Sequence, residues 1–273
     1  MLQYDFMQRA FVVGLLLAVI IPCIGVTVVL KRLSMIGDAL SHSSLAGVTA
    51  GLVMGVNPVL GAFAACIIAA LGIEVIRRKI PQYAEMSIAI VMSAGIGLAG
   101  ALSVFVKNAT NFNSFLFGSI VAISDFELAA VVIISVLVAL CFLLLYKELF
   151  YIAFDERAAR LSGIPVALVN FVFTILTAIT VAVASRTVGA LIVSSMMVVP
   201  VAVAMQFGKS YRQTVLYAMG FAMLFTTIGL TLSYYWKFRP GAAIVLTGVC
   251  FLVLVLLWRG LMAGRRKGKC IVK

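Results

Sequence analysis

Asp38 and His42 stand four residues apart in RLSMIGDALSHSSLAGVTAGLVMG (Arg32–Gly55), and His42 is the one histidine of the chain. On a helix, positions four apart share a face, so the carboxylate and the imidazole can converge on one point. An oxygen donor and a nitrogen donor in that arrangement can hold a cation. Each residue also has a plainer role open to it: Asp38 can cap a helix start, and His42 can bond a neighbouring serine or a carbonyl. The segment around them is otherwise fit for lipid, where an ionisable pair is costly and marks a functional site. The cation site is therefore the reading adopted.

One carboxylate and one imidazole are too few ligands for a divalent transition metal. A two-fold homodimer would bring two of each, and four mixed ligands suit tetrahedral zinc or, with added water, manganese. Calcium and magnesium would want more oxygen and no imidazole. Ser43, Gly47, Gly51 and Gly55 follow at four-residue spacing. Small residues so spaced let membrane helices approach closely; the approach can be to another chain or within this one.

These residues must be held by an apolar scaffold. The chain has 273 residues, 64% hydrophobic and 11% charged, and its long apolar runs require membrane-spanning helices. The formal net charge of +12 does not indicate nucleic acid, because the basic residues fall between apolar runs. Nine windows of spanning length are expected at Phe6–Leu30, Asp38–Val56, Pro58–Ile76, Glu85–Val106, Phe126–Tyr146, Ile164–Ser185, Val188–Phe207, Thr214–Tyr235 and Gly241–Leu261. Phe112–Ile123 is apolar but too short to span, which suggests a re-entrant or interfacial piece. The expected fold is all-α and polytopic, a single domain over 1–273 with about nine (eight to ten) transmembrane helices.

Lysine and arginine placement orients the bundle. The basic tail 259–273 sets the C-terminus in the cytoplasm, and nine spans then set the N-terminus outside. Every inner connection is basic under this arrangement. It also puts Asp38 near the cytoplasmic end of its helix, short of the midplane where alternating access would hold an ion. The longest inner connection, Lys147–Pro165, contains a short helix: Asp155 suits its N-cap, Glu156 its positive end and Gly163 its C-cap. A docking element for a soluble partner and an ordinary surface loop both fit that composition. Gly208-Lys209-Ser210 imitates the end of a phosphate-binding loop, but Val203 occupies the place of the required glycine.

RLSMIGDALSHSSLAGV resembles the signature of the membrane subunits of bacterial zinc/manganese ABC importers. LFGSI at Leu116–Ile120, FDERAARLSGIPV at Phe154–Val166, VGALIVSSMMVVPVAVAM at Val188–Met205 and RPGAAIVL at Arg239–Leu246 carry the likeness along the chain. Tyr4–Phe11 and Glu85–Ser93 are similar to the zinc-permease branch of low-GC Gram-positive bacteria. The resemblance implies a homodimer in the bacterial plasma membrane, two copies of a cytoplasmic ABC ATPase, and an extracytoplasmic metal-binding lipoprotein. It implies that Asp38 and His42 form the intramembrane metal site. It also implies that the ATPase docks on Asp155–Gly163, with Asp155, Glu156, Arg157, Arg160 and Gly163 in that surface.

The expected function is ATP-driven import of Zn²⁺, with Mn²⁺ second, by a permease subunit that is not itself an enzyme and binds no prosthetic group. An iron–siderophore or cobalamin permease would need a wide polar or aromatic channel. A proton-coupled carrier would want several intramembrane acids. A membrane enzyme has almost no acid–base machinery available here.

Overall fold

A computed structural model describes residues 5–80, 83–106, 116, 118, 125–236 and 238–270. Nine long helices among the described residues coincide with the nine apolar windows: α1 (Asp5–Leu30), α2 (Ile36–Met54), α3 (Pro58–Lys79), α4 (Ala84–Ser103), α5 (Asp125–Leu144), α8 (Val166–Ala184), α9 (Ala190–Phe207), α10 (Tyr211–Trp236) and α11 (Pro240–Cys270). Two short helices, α6 (Tyr146–Phe154) and α7 (Glu156–Leu161), lie between α5 and α8. Apart from Leu116 and Gly118, the Phe112–Ile123 piece and its expected re-entrant form lie outside the described residues, as does the end of the tail at 271–273.

Seven of the long helices are long and apolar enough to cross a membrane. The other two depart from that standard for different reasons. Helix α2 carries Asp38, His42, three serines and a threonine, which lower its hydropathy, and α9 contributes a shorter apolar stretch at Ile192–Phe207. Helix α11 runs past the expected end at Leu261 to Cys270. Basic residues are favourable at the negative end of a helix, so the charged sequence continues it.

Inner and outer helices are distinguished by burial. The apolar windows of α1 and α8 are 72% and 67% buried, against 22% for α4, α5 and α11. The outer three turn large apolar side chains outward, among them Ile90, Leu98, Ile133, Leu140, Leu254 and Leu257. In a soluble protein this would be an aggregation surface; against lipid it costs nothing. The chain is a multi-pass membrane protein. Helix α2 packs against α3, α4 and α9, while α1 packs against α5, α9 and α10. One large apolar cluster joins α1, α2, α8, α9 and α10, and a small satellite gathers Leu45, Val48, Ala62 and Ala99 where α2, α3 and α4 meet.

Close approach depends on glycine at particular crossings. A Cβ on Gly47 would overlap the Gly61 carbonyl of α3, and one on Gly25 would overlap the Met197 carbonyl of α9. The expected break between the sixth and seventh spans is no loop at all. Helix α8 passes through a π-helical turn, Ser185–Gly189, directly into α9. The direction changes at Gly189, whose φ of 109 lies in the region that glycine alone enters freely.

Candidate functional site

Helix α2 begins after a tight turn. Leu33 N–H donates to the Val28 carbonyl and Arg32 N–H to the Val29 carbonyl, the Schellman pattern that ends a helix. Arg32 occupies the left-handed position with a φ of 58, where glycine is the usual residue. The turn is tied to α8: Lys31 Nζ donates to Asn170 Oδ1 at 2.5 Å and lies 5.6 Å from the Phe173 ring centre.

Asp38 and His42 both lie half-buried on one face of α2, while Ile36, Gly37, Ala39, Leu40, Ser41, Ser43 and Ser44 around them are buried. The helix is thus wrapped on most of its circumference and open at the carboxylate and imidazole. Ser194 Oγ donates to Asp38 Oδ1 at 2.5 Å. That bond fixes the carboxylate's rotamer and leaves its second oxygen available to a cation. Gly37 permits the contact, since a Cβ there would stand 3.1 Å from the Ser194 Cβ.

The neighbouring polar groups are largely satisfied within the bundle. Ser43 Oγ donates to the Ala39 carbonyl at 2.8 Å, Ser44 and Ser185 share a 2.8 Å hydroxyl–hydroxyl bond, and Cys66 Sγ donates to the Leu40 carbonyl at 3.3 Å. Ser41 Oγ is buried without a partner. On the α4 side, Gly95 lies against the backbone of His42 and Ser43. Farther along, Gly47 packs on Gly61, Gly51 on Pro58, and Gly55 ends α2 in the left-handed region with a φ of 71. The small-residue ridge of α2 is therefore occupied by α3 of the same chain at Gly47 and Gly51.

Ser194 locates the carboxylate along α9. Thirteen residues separate it from the end of that helix at Phe207, about 20 Å at the rise of an α-helix. Asp38 is held beside it by the shared hydrogen bond. Among the described residues no three His, Cys, Asp or Glu side chains gather at one point. A single chain offers this site one carboxylate, one imidazole and one hydroxyl.

At the basic end of the bundle the expected short helix is present as α7. Asp155 caps it, accepting from Arg157 N–H at 2.9 Å and Ala158 N–H at 3.1 Å. Gly163 follows in the left-handed region with a φ of 82. Arg160 pairs with Glu156 at 3.3 Å on an exposed face. Helix α6, which the sequence left inside a polar connection, is secured by its rings: Tyr146 and Phe150 lie 5.2 and 5.4 Å from Tyr211 of α10. Tyr211 in turn shares a 2.9 Å hydrogen bond with Thr27 of α1.

The fold has counterparts among known proteins. The model of the ABC 3 transport family matches residues 3–259. The chain belongs to the ABC 3 transport family. Among relatives of this ABC permease, a "Probable metal transport system membrane protein" of Treponema pallidum (strain Nichols) is 36% identical over 94% of the chain and 96% of its own length. The "Manganese transport system membrane protein MntC" of Listeria innocua is 31% identical over 98% and 96% respectively. The solved structure "PsaBC from Streptococcus pneumoniae in complex with Fab" superposes with a TM-score of 0.82 at 25% identity, covering 92% of this chain and 91% of that one.

That Asp38 and His42 share a face of α2 is legible in the sequence, but the Ser194 contact is not. In the sequence Ser194 stands only within the family-like stretch Val188–Met205. Two adjacent serines in an otherwise apolar span were the available signal.

Proposed function

We propose that this ABC 3 family chain is the membrane-spanning subunit of an ATP-driven importer of divalent transition-metal ions, and that Asp38 and His42 hold the ion in transit. The observation that carries the reading is the half-open Asp38–His42 face on an otherwise wrapped helix, with Ser194 anchoring one carboxylate oxygen. An acid and an imidazole half-buried in an apolar bundle call for a compensating ligand. A cation between them is such a ligand.

The working unit is a homodimer whose two-fold axis brings the two open faces together. Two carboxylates and two imidazoles then supply four donors. Zinc accepts that set as a tetrahedron, and manganese accepts it with water added. The relatives named for manganese give Mn²⁺ equal standing with Zn²⁺ as the cargo. Imidazole must be neutral to ligate, so loading competes with protons.

The basic end faces the cytoplasm by the positive-inside rule, with the N-terminus outside and the C-terminus inside. A separate ATPase docks there on Asp155–Gly163, using Asp155, Glu156, Arg157, Arg160 and Gly163. An extracytoplasmic lipoprotein delivers the ion at the opposite end. ATP binding in the ATPase pair would swing the dimer between outward- and inward-open states.

The test is cellular zinc and manganese content in chelator-limited medium, comparing the wild-type gene, its deletion, and the deletion restored with Asp38→Ala, His42→Ala. The expected result is a fall in one metal on deletion that the double variant fails to restore. Restoration by the double variant would remove the site. Uptake that tracks the proton gradient instead of ATP would replace the importer with a secondary carrier.

A further inference from the structure

We infer that the cavity at the basic end of the bundle, between the end of α3 and helix α7, is a binding site for a phosphate group. The cavity encloses about 410 Å³, room for about a dozen water molecules. Lys31, Arg77, Arg78 and Arg160 line it together with Glu74 and Glu156. Four cations therefore face two carboxylates.

The pairing within the cavity uses up the acids and leaves cations over. Glu74, with 5% of its side chain exposed, accepts from Arg77 Nη2 at 2.7 Å and from Arg78 Nε at 3.0 Å. One carboxylate thus serves two guanidiniums. Glu156 is taken by Arg160. Lys31 has no carboxylate within ion-pair range among the described residues; its ammonium rests on the Asn170 amide oxygen and the Phe173 ring. A half-buried cation served only by neutral groups is costly.

Burial, followed by the charge of Arg77, pushes the Lys31 ammonium down to about 8, against the weaker pull of Glu156 and Glu74. Four cations against two carboxylates give the cavity lining a net positive charge. A ligand matched to that lining is an anion, and the donor set narrows its class. Guanidinium forks and a point-like ammonium converge from three elements: the α1–α2 turn, the end of α3 and α7. A phosphate presents acceptor oxygens in several directions and matches that spread. A divalent cation is excluded by sign.

The phosphate can come from the headgroup of an anionic lipid in the adjacent leaflet or from a soluble phosphate compound. Seated in the cavity, it would tie the turn that leads into α2 to the helix proposed to dock the ATPase. The site does not depend on which metal is carried, nor on the metal reading itself.

The experiment uses the full-length protein purified in detergent, with wild type, Lys31→Gln and Arg160→Gln compared. Lys31→Gln removes the charge and can still donate to Asn170. Arg160 is exposed, so its replacement spares the packing. Melting temperature is followed as inorganic pyrophosphate is titrated at constant ionic strength, and lipid retention is read by native mass spectrometry with phosphatidylglycerol against phosphatidylcholine. The expected result is stabilisation by pyrophosphate, or selective retention of phosphatidylglycerol, weakened about tenfold in both variants. Pyrophosphate alone would identify a soluble ligand; phosphatidylglycerol alone would identify the lipid. No effect of either probe on wild type, or an equal effect on all three proteins, would overturn the site. An effect that appears only when an ATPase partner is added would also overturn it, by assigning the cavity to an acidic side chain of that partner.

Discussion

Helices α1 and α2 are consecutive in the chain and both central in the bundle, yet they are built on opposite rules. From Ala10 onward helix α1 is apolar apart from its buried Thr27, which is satisfied by Tyr211. Helix α2 places Asp38, His42, Ser41, Ser43, Ser44 and Thr49 within nineteen residues. Its hydroxyls are mostly spent on carbonyls and on the start of the π turn, while its carboxylate and imidazole keep an open face. What the two helices share is glycine at the tightest crossing, Gly25 in one and Gly47 in the other. The contrast teaches that centrality and polarity are separable: α1 is central with an apolar surface, α2 is central with a carboxylate and an imidazole at its open face.

Four sets of substitutions would break or sharpen that contrast. The largest effect is expected from Asp38→Ala or His42→Ala, each reducing metal uptake to background while the purified protein keeps its melting temperature. Loss of folding together with uptake would make the pair structural. Next, Gly25→Leu and Gly47→Leu should each cost about 3 kcal/mol or more, because the new side chain meets backbone on the facing helix. Membrane yield and melting temperature would report this, and a tolerant Gly47 would weaken the account of α2 packing.

Ser194→Ala should be milder. Removing the donor to an ionised carboxylate is worth about 1.5–3 kcal/mol, so metal affinity should drop at least about tenfold, with Ser194→Thr recovering part of it. Thr27→Val tests the other helix. It strands the Tyr211 hydroxyl and should lower stability by about 1 kcal/mol, with uptake per folded molecule unchanged.

Acidity distinguishes His42 from the turn that precedes its helix. At His42 the readout of substitution is metal uptake; at Lys31 the quantity that responds to pH is stability. Its ammonium is pushed down to about 8 in the fold from 10.5, so between those values the unfolded chain binds more protons. Stability should therefore rise as pH increases through that window. Lys31→Gln should lack this increment, and an identical pH–stability curve in the variant would show that Lys31 carries no such penalty.

The spans were legible because an apolar run of membrane length is hardly compatible with anything but a span. Asp155 and Gly163 were legible as caps because their roles are local. Ser194 was not, since its partner is 156 residues away and a serine on an apolar helix looks the same whether it faces lipid or a carboxylate. The π turn was also hidden, because Arg186 and Thr187 have the look of a loop between two spans.

That turn has a mechanical consequence. Helices α8 and α9 form one bent rod with its elbow at Gly189, and the two arms are unequal. From Val166, beside α7, to the elbow is about 35 Å of helix, while from the elbow to Ser194 is about 7.5 Å. Ser194 thus stands within about a turn and a half of the backbone break. The hydroxyl that holds Asp38 takes its position from the local geometry of the elbow, not from the far end of α8.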